Sequence, residues 1–287
     1  MHWRQFQELQ KLADVGDRFM SYVEAGAGSP LVLLHGMPTW GFVFHRILPL
    51  LEREHRVLIP DLPGFGFSDR SDRFSRSLSR QCERVAAWMQ AVGIDRASFV
   101  GHDIGAAIAL RLAVHHPERV DKLCLVDAAA FDLWPAPFLH ELGQPSVKSR
   151  LSASAVCRAL AKELSPLLAN PDQELLRGLL APYSTEVGKL SLIRDASALD
   201  CSETMELAPA LGGVKSPALV FWGDRDGLQP LEGGRRLADE LPRARLFVLP
   251  GAGHFGMLDR PVEFSDALNA FLAERQPPAT QSPVTTL

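Results

Sequence analysis

The amino-acid sequence predicts an α/β fold: a mostly parallel central sheet with helices on both faces and a helical cap inserted between two strands. Short apolar runs recur along the chain without alternating with polar residues, which suits strands buried on both faces of a sheet. Longer helical patterns separate these runs, and such an alternation is typical of a parallel sheet covered by helices. The alternation breaks between residues 131 and 210, where proline-punctuated helical or irregular patterns indicate an insertion.

Six apolar runs are the predicted buried strands. Several contain β-branched or aromatic residues, which are enriched in strands. An earlier segment around Tyr22 also has a strand pattern. The six runs are residues 31–34, 56–60, 97–100, 123–126, 218–222 and 246–249.

Four segments between and after these runs have helical patterns. Gly93 follows the first of them and is a typical helix-ending residue. Pro117 ends the second, because proline cannot continue a helix. The predicted helices are residues 79–92, 105–116, 231–241 and 261–274.

These patterns divide the chain of 287 residues into three parts. The predicted core consists of residues 1–130 and 211–275, and the predicted helical cap consists of residues 131–210. The tail, residues 276–287, is rich in Pro, Thr and Ser, and we expect it to be disordered.

The composition argues against several functional classes. Apolar residues make up 46% and charged residues 22%, as in ordinary globular proteins, and the net charge of −4 does not suggest a nucleic-acid-binding surface. The four cysteines form no Cys-x-x-Cys pair, so zinc ribbons and redox motifs are unsupported and reduced thiols are expected. No stretch approaches the ~18 apolar residues of a membrane span. The first residues lack the apolar core of a signal peptide, so we expect a cytoplasmic protein without membrane contacts.

The most informative segment is residues 99–106, Phe-Val-Gly-His-Asp-Ile-Gly-Ala, where a predicted strand runs directly into a predicted helix. This is the context of a nucleophile elbow, with Asp103 at the apex where serine is commoner. Gly101 and Gly105 permit the sharp turn and the close approach of strand and helix. The adjacent helix N-terminus favours an anion. Taken alone, Asp103 would be a helix N-cap, so its role depends on the rest of the chain.

Three further segments support a catalytic site at the same sheet edge. Residues 34–40, Leu-His-Gly-Met-Pro-Thr-Trp, follow a predicted strand and can direct backbone N–H groups at an oxyanion. Residues 222–227, Trp-Gly-Asp-Arg-Asp-Gly, supply carboxylates after a later strand. Residues 250–255 place His254 after the last strand. The order of nucleophile, acid and histidine is that of the α/β-hydrolase fold.

From about Phe19 to Leu272 the chain resembles the α/β-hydrolase superfamily, with the insertion as its cap. Within that superfamily it is similar to the branch with an aspartate nucleophile, which contains epoxide hydrolases, haloalkane dehalogenases and fluoroacetate dehalogenases. The family-like motifs are residues 35–40, 61–69 and 101–105.

An aspartate nucleophile suits attack on a saturated carbon. Asp103 would be ionised at pH 7 without a base and would form an alkyl ester that water can cleave. A serine would form an ether, which is a dead end. His254 is predicted to activate the water, and Asp226 to orient His254 and stabilise its imidazolium. The backbone N–H groups of Met37 and Ile104 are predicted to hold the oxyanion.

The resemblance favours Asp226 as the acid because the family's acid matches the last aspartate of this Gly-x-x-Asp turn. Asp224 is then interpreted as a residue that makes hydrogen bonds within the loop. Asp127, at the end of the preceding strand, is the alternative, because some family members carry the acid there.

The resemblance also bears on the leaving group. Haloalkane dehalogenases hold the halide with a Trp after the nucleophile and often with a polar residue where this chain has Met37. Fluoroacetate dehalogenases have Arg after the nucleophile. Ile104 stands at that position here, so both sets of donors are missing. Trp40 and Trp134 carry indole N–H groups, although hydrophobic packing is their more ordinary role.

Epoxide hydrolases need an acid for the ring oxygen, usually one or two cap tyrosines. Tyr183 is the only tyrosine of the insertion, and His140 is a candidate second donor, although a solvated cap residue is its more ordinary role. Because one acid can suffice, the sequence favours an epoxide hydrolase. The predicted substrate-binding residues are His35, Trp40, Trp134, His140 and Tyr183.

Three other interpretations stay open: a haloalkane dehalogenase-like hydrolase, a hydrolase of esters or lactones, and a ligand-binding protein without turnover. A pure binder would not need the base in the set Asp103, Asp226 and His254. No phosphate-binding glycine-rich loop occurs, so no cofactor is expected, nor a metal. The expected partners are a small apolar electrophilic substrate and water, with the chain acting as a monomer or homodimer.

Overall fold

The computed structural model describes residues 1–274, apart from the side chains of residues 148 and 149. The tail for which disorder was predicted, residues 276–287, lies outside the described residues.

Within the described residues, the strands form one sheet of eight, in the order β1-β2-β4-β3-β5-β6-β7-β8. The strands from β3 onwards pair in parallel, whereas β1 with β2 and β2 with β4 pair antiparallel. The predicted mostly parallel α/β architecture is confirmed. The strands are β1 (Lys11–Asp14), β2 (Phe19–Ala25), β3 (Ser29–Leu34), β4 (His55–Pro60), β5 (Ala97–His102), β6 (Val120–Val126), β7 (Ala218–Gly223) and β8 (Ala244–Leu249).

Strand β1 is the strand that sequence reasoning missed. Of its four residues only Ala13 is buried, so it lacks the continuous apolar run of a central strand. It lies at the sheet edge and pairs antiparallel, a setting in which one strand face can remain in water. The six predicted runs correspond to β3 to β8, and Tyr22 lies in β2.

The helices connect these strands and form the insertion after β6. Four of them, α3, α4, α11 and α13, match the predicted helices to within two residues at each end. The helices are α1 (Trp3–Glu8), α2 (Leu48–Leu51), α3 (Leu78–Ala91), α4 (Ile104–His115), α5 (Pro137–Leu142), α6 (Pro145–Arg150), α7 (Ala153–Leu164), α8 (Gln173–Leu180), α9 (Glu186–Ser197), α10 (Ser202–Met205), α11 (Leu231–Glu240), α12 (Gly256–Asp259) and α13 (Pro261–Ala273).

The chain between β6 and β7 contains α5 to α10 and short 3₁₀ segments. Helix α9 contacts α5, α6 and α7, so these helices pack on one another. A buried ion pair joins this group to the loop before α3: Arg76 contacts Asp195 of α9 and donates to Ser191 Oγ at 3.0 Å. The insertion is therefore tied to the core by charge as well as by apolar packing.

The carboxyl ends of the parallel strands β3, β5, β6, β7 and β8 lie on one side of the sheet. The interiors of β3, β5, β6 and β7 are mostly buried, whereas β8 is half-buried along much of its length. The loops that follow them carry the residues predicted to form the catalytic site. Among residues 1–274, no helix has the length and apolar character needed to cross a membrane.

Candidate active site

Asp103 occupies a sharp turn between β5 and α4. Its backbone has φ 52° and ψ −120°, a sparsely populated region that costs of order 1–3 kcal/mol for a residue other than glycine. A Cβ at Gly105 would collide with the main-chain carbonyl of Leu34, and one at Gly101 would collide with the backbone of Ala106. The two glycines therefore let strand and helix approach closely enough to present Asp103 at the sheet edge.

Two backbone donors meet the Asp103 carboxyl group. Met37 N–H donates to Oδ1 at 3.0 Å, and the Ile104 N–H lies close enough to the carboxyl group to lower its pKa. A Cβ at Gly36 would lie 2.5 Å from the Asp103 Cβ, so only glycine lets this turn approach. The donors predicted to form an oxyanion hole thus face the nucleophile's own carboxyl group, and Met37 holds its Oδ1.

His254 and Asp226 form a buried pair opposite this carboxyl group. His254 Nδ1 lies 2.9 Å from Asp226 Oδ2, and both side chains are almost fully buried. The other oxygen, Asp226 Oδ1, accepts from the N–H groups of Leu228 at 2.7 Å and Gln229 at 3.0 Å. The backbone N–H of His254 donates to the carbonyl of Leu167 and fixes the loop that carries His254. The ring therefore has Nδ1 bound to the acid, and Nε2 has no protein hydrogen-bond partner among the described residues.

The other two candidate acids have different partners. Asp224 Oδ1 accepts from Gly251 N–H at 2.7 Å, the loop role predicted for it. Asp127 is buried at a positive φ of 43°, and its Oδ1 accepts from Gly223 N–H at 2.9 Å. Of the three carboxyl groups, Asp226 is the one in hydrogen-bond contact with His254.

Burial and charge act in opposite directions on the titrating groups. Burial alone would lower the pKa of His254, but the Asp226 charge, its hydrogen bond and the Asp103 charge outweigh it and raise this pKa. Burial tends to raise the pKa of Asp226, but the His254 charge and hydrogen bond lower it on balance. Burial also raises the pKa of Asp103, against the opposing effects of His254 and the backbone donors.

Asp127 differs from these groups because no positive partner offsets its burial. Burial first, and then the charge of Asp226, raise the pKa of Asp127 well above its ordinary value. Protonation is therefore favoured at Asp127 and disfavoured at Asp226, whereas the imidazolium form of His254 is favoured.

The predicted side-chain donors have partners elsewhere in the protein. Trp40 Nε1 donates to the Gly178 carbonyl at 2.8 Å, and Trp134 Nε1 donates to Thr204 Oγ1 at 2.8 Å. Both indoles are buried, which agrees with a packing role. His140 is exposed on α5 and contacts Gln144 of the same helical region.

Tyr183 is fully buried, and its hydroxyl donates to the Thr39 carbonyl at 2.9 Å. Burial raises the pKa of Tyr183 well above its ordinary value, so the phenol keeps its proton. His35 is also buried; its Nδ1 lies 2.9 Å from the Gly36 carbonyl, and its Nε2 accepts from Leu62 N–H at 3.0 Å. Burial lowers the pKa of His35 to about 4, so a neutral ring holds two loops together.

Sequence reasoning missed Gln229. Its side chain is buried, and Nε2 lies 3.4 Å from Asp103 Oδ2, the carboxyl oxygen that Met37 does not hold. Gln229 is an amide three residues after Asp226, and the motifs drew only on titratable side chains in this part of the chain. The available signal was its position two residues beyond the segment 222–227, which the motifs had assigned to the site.

Comparisons with known proteins agree with the fold. Residues 31–267 match the family described as the alpha/beta hydrolase family. The 2-hydroxy-6-oxo-6-phenylhexa-2,4-dienoate hydrolase of Comamonas testosteroni is 28% identical over 91% of this chain and 94% of that protein. The cis-3-alkyl-4-alkyloxetan-2-one decarboxylase of Shewanella oneidensis is 23% identical over 91% of this chain and 87% of that protein. The crystal structure of an alpha/beta hydrolase fold protein from Burkholderia ambifaria has a TM-score of 0.81 and 29% identity, covering 93% of this chain and 100% of that one.

These matches support the superfamily that the motifs indicated. The branch with an aspartate nucleophile and the epoxide substrate stay predictions.

Proposed function

Because the chain belongs to the alpha/beta hydrolase family, we propose that it is a hydrolase in which Asp103 forms a covalent ester with its substrate and His254 directs water to cleave that ester. One observation carries the proposal: the N–H group of Met37 holds Oδ1 of Asp103 itself, and the N–H group of Ile104 faces the same carboxyl group. Donors in this place would stabilise a tetrahedral oxyanion formed at the Asp103 carbonyl.

In the first step, Asp103 Oδ2 attacks a saturated carbon and the leaving group departs with the electron pair of the broken bond. Oδ1 keeps its hydrogen bond from Met37 N–H and becomes the carbonyl oxygen of the ester. No base is required, because the attacking group is already an anion.

In the second step, His254 Nε2 takes a proton from water, and the resulting hydroxide adds to the Asp103 carbonyl carbon. Asp226 stabilises the imidazolium through Nδ1. Formation of the ester removes the negative charge of Asp103, one of the causes that raise the pKa of His254. Esterification therefore lowers that pKa and favours the neutral, basic form of His254 at the point where a base is needed.

Strained oxygen rings are the substrate class we favour, with epoxides first. Ile104 and Met37 offer no side-chain donor for a free halide, whereas ring opening releases strain and keeps the leaving oxygen attached to the product. The ring oxygen of an epoxide needs a proton, and Tyr183 is the donor we assign to it. To act in this way, its hydroxyl must exchange the Thr39 carbonyl for the ring oxygen.

A four-membered lactone is the second candidate, and the relative named as an oxetan-2-one decarboxylase favours it. Attack at the saturated ring carbon bonded to the ring oxygen would release a carboxylate, which is stable without protonation. This substrate would leave the hydrogen bond between Tyr183 and Thr39 intact.

The proposal is tested by turnover of a panel containing an epoxide, an oxetan-2-one, a haloalkane, a chromogenic ester and a 2-hydroxy-6-oxo-dienoate. Asp103→Asn preserves size and tolerance of positive φ but removes the nucleophile, so we expect turnover to be abolished. Asp224→Asn is the matched control, because Asp224 contacts Gly251 and not His254. Full activity in Asp103→Asn, or turnover of the ester or dienoate alone, would contradict the proposal. Binding without turnover of any substrate would favour the ligand-binding interpretation.

A further inference from the structure

Gln229 lies in the loop after β7 that carries Asp226, here called the acid loop, and it contacts Asp226, Trp222 and Asp103. Its backbone N–H donates to Asp226 Oδ1 at 3.0 Å, and its backbone carbonyl accepts from Trp222 Nε1 at 3.1 Å. Its side-chain amide instead approaches Asp103 Oδ2 at 3.4 Å. The side chain can therefore be changed without removing either backbone hydrogen bond that holds the acid loop.

The two oxygens of Asp103 have different donors. Met37 N–H holds Oδ1, while the carboxamide of Gln229 faces Oδ2. In the proposed reaction Oδ2 becomes the ester oxygen that carries the alkyl group. When the tetrahedral intermediate breaks down, the bond between the Asp103 carbonyl carbon and Oδ2 is the one that breaks.

When the tetrahedral intermediate breaks down, negative charge moves to Oδ2, the oxygen of Asp103 that faces Gln229. The electron pair on Oδ1 re-forms the carbonyl, the bond to Oδ2 breaks with its electron pair, and Oδ2 leaves as the alkoxide of the product. The His254 imidazolium returns to this alkoxide the proton that it took from water. Asp103 keeps one oxygen from water, and the product keeps Oδ2.

We propose that Gln229 is a catalytic residue of the second step, whose side-chain N–H stabilises negative charge on Oδ2 as the product alkoxide leaves. This role rests on the proposed function, because it exists only if Asp103 forms an ester. A contact of 3.4 Å is longer than the usual 2.7–3.2 Å of an N–H···O hydrogen bond, so it stabilises the free carboxylate little. An interaction that tightens only as charge develops lowers the barrier rather than the ground state.

The test separates the two steps by rapid quench and intact-protein mass spectrometry, using a substrate of the panel that the wild type turns over. Gln229→Met keeps the side-chain length and removes the donor. We expect ester formation to stay within about threefold of wild type and ester hydrolysis to slow by about 10²–10³, the range for loss of one oxyanion donor. The adduct should accumulate, and the pH profile of hydrolysis should keep its midpoint because the contact between Asp226 and His254 is untouched.

Two further variants complete the design. Gln229→Asn retains the amide but is too short to reach Oδ2, so it should also accumulate adduct if Gln229→Met is poorly folded. Gln81→Met is the matched control: Gln81 is another buried glutamine, and it donates to the Pro63 carbonyl at 2.8 Å. It should hydrolyse its ester at the wild-type rate.

His254→Gln, measured in parallel, distinguishes failure of the role proposed for Gln229 from failure of the proposed function. If His254→Gln forms the adduct but both Gln229 variants hydrolyse at the wild-type rate, the role of Gln229 is wrong and the proposed function stands. If the Gln229 variants lose ester formation instead of hydrolysis, the amide acts on the first step and the inference is also wrong. If His254→Gln forms no adduct, the proposed function fails and the inference fails with it.

Discussion

Asp103 and Asp226 both raise the pKa of His254, but only Asp226 keeps its charge throughout the proposed cycle. The same histidine therefore meets two electrostatic environments. In the free enzyme the imidazolium is stabilised by the charges of Asp226, Asp103 and Asp259, and in the ester the charge of Asp103 is lost. This difference arises at a single residue and follows from neutralising Asp103, without any movement of the protein.

We predict that Asp103→Asn, which mimics the charge of the ester, lowers the pKa of His254. The shift should appear in an NMR titration of the histidine ring protons, with Asp224→Asn as the control that leaves the pKa at its wild-type value. In the wild type, the stability contributed by the raised pKa is fully present below the unfolded value near 6.5 and is lost as pH rises through the folded pKa. That contribution should be smaller in Asp103→Asn. An unchanged or higher pKa in the variant would contradict electrostatic coupling between the two residues.

A buried ion pair between the loop before α3 and helix α9 holds the insertion on the core. Arg76, in the loop before α3, meets Asp195 of α9 in a buried ion pair. Burial raises the pKa of Asp195 to about 7, and the charge of Arg76 opposes that rise. Removal of Arg76 would leave a buried carboxyl group with a still higher pKa.

We predict that Arg76→Met lowers the free energy of unfolding by about 3–5 kcal/mol at pH 8, the usual cost of removing one partner of a buried pair. The folded-state pKa of Asp195 is raised, so the penalty for its charge grows as pH rises through that pKa and is relieved at pH 5.5, where the folded state holds the proton. Denaturant unfolding followed by circular dichroism at both pH values measures this difference. Arg80→Met, which breaks an exposed pair with Glu83, should cost less than about 1 kcal/mol. Equal costs for the two variants, or a larger cost at pH 5.5, would argue against the buried pair.

The 3₁₀ segment Ala181–Tyr183 carries the donor that separates the two candidate substrates. We predict that Tyr183→Phe slows epoxide ring opening by about 10²–10⁴, the range for loss of a general acid, and leaves oxetan-2-one ring opening unchanged. The variant should also lose about 1–3 kcal/mol of stability, because the buried Thr39 carbonyl loses its donor. Single-turnover rates with both substrates and a denaturant titration test this. If epoxide opening proceeds at the wild-type rate, Tyr183 is a packing residue and another group supplies the proton.

For the whole molecule, the architecture could be predicted from the sequence because buried apolar runs and helical patterns recur along the chain. Six buried runs and four helical patterns identified β3 to β8 and their connecting helices. Strand β1 escaped because an edge strand with one buried residue has no such pattern.

The chemistry of the site was less evenly encoded than the fold. The positions of Asp103, Asp226 and His254 follow from motifs at strand ends, and the structure places the last two 2.9 Å apart. The contacts of Trp40, Trp134 and Tyr183 with the protein depend on how the insertion packs on the core, which residue type and spacing do not determine. Gln229 and Asp103 are 126 residues apart in the sequence, and no local sequence pattern predicts a contact between residues so far apart.

The central claim is that Asp103 forms an ester that only His254 can release, and one variant isolates it. His254→Gln keeps the nucleophile and its oxyanion donors but removes the base. After incubation with a substrate of the panel, intact-protein mass spectrometry should detect an adduct, and peptide mapping should locate it on Asp103. An epoxide or a lactone adds its whole mass, whereas a haloalkane adds only its alkyl group. Substrate consumption by wild type with no adduct on Asp103 in His254→Gln would contradict the account.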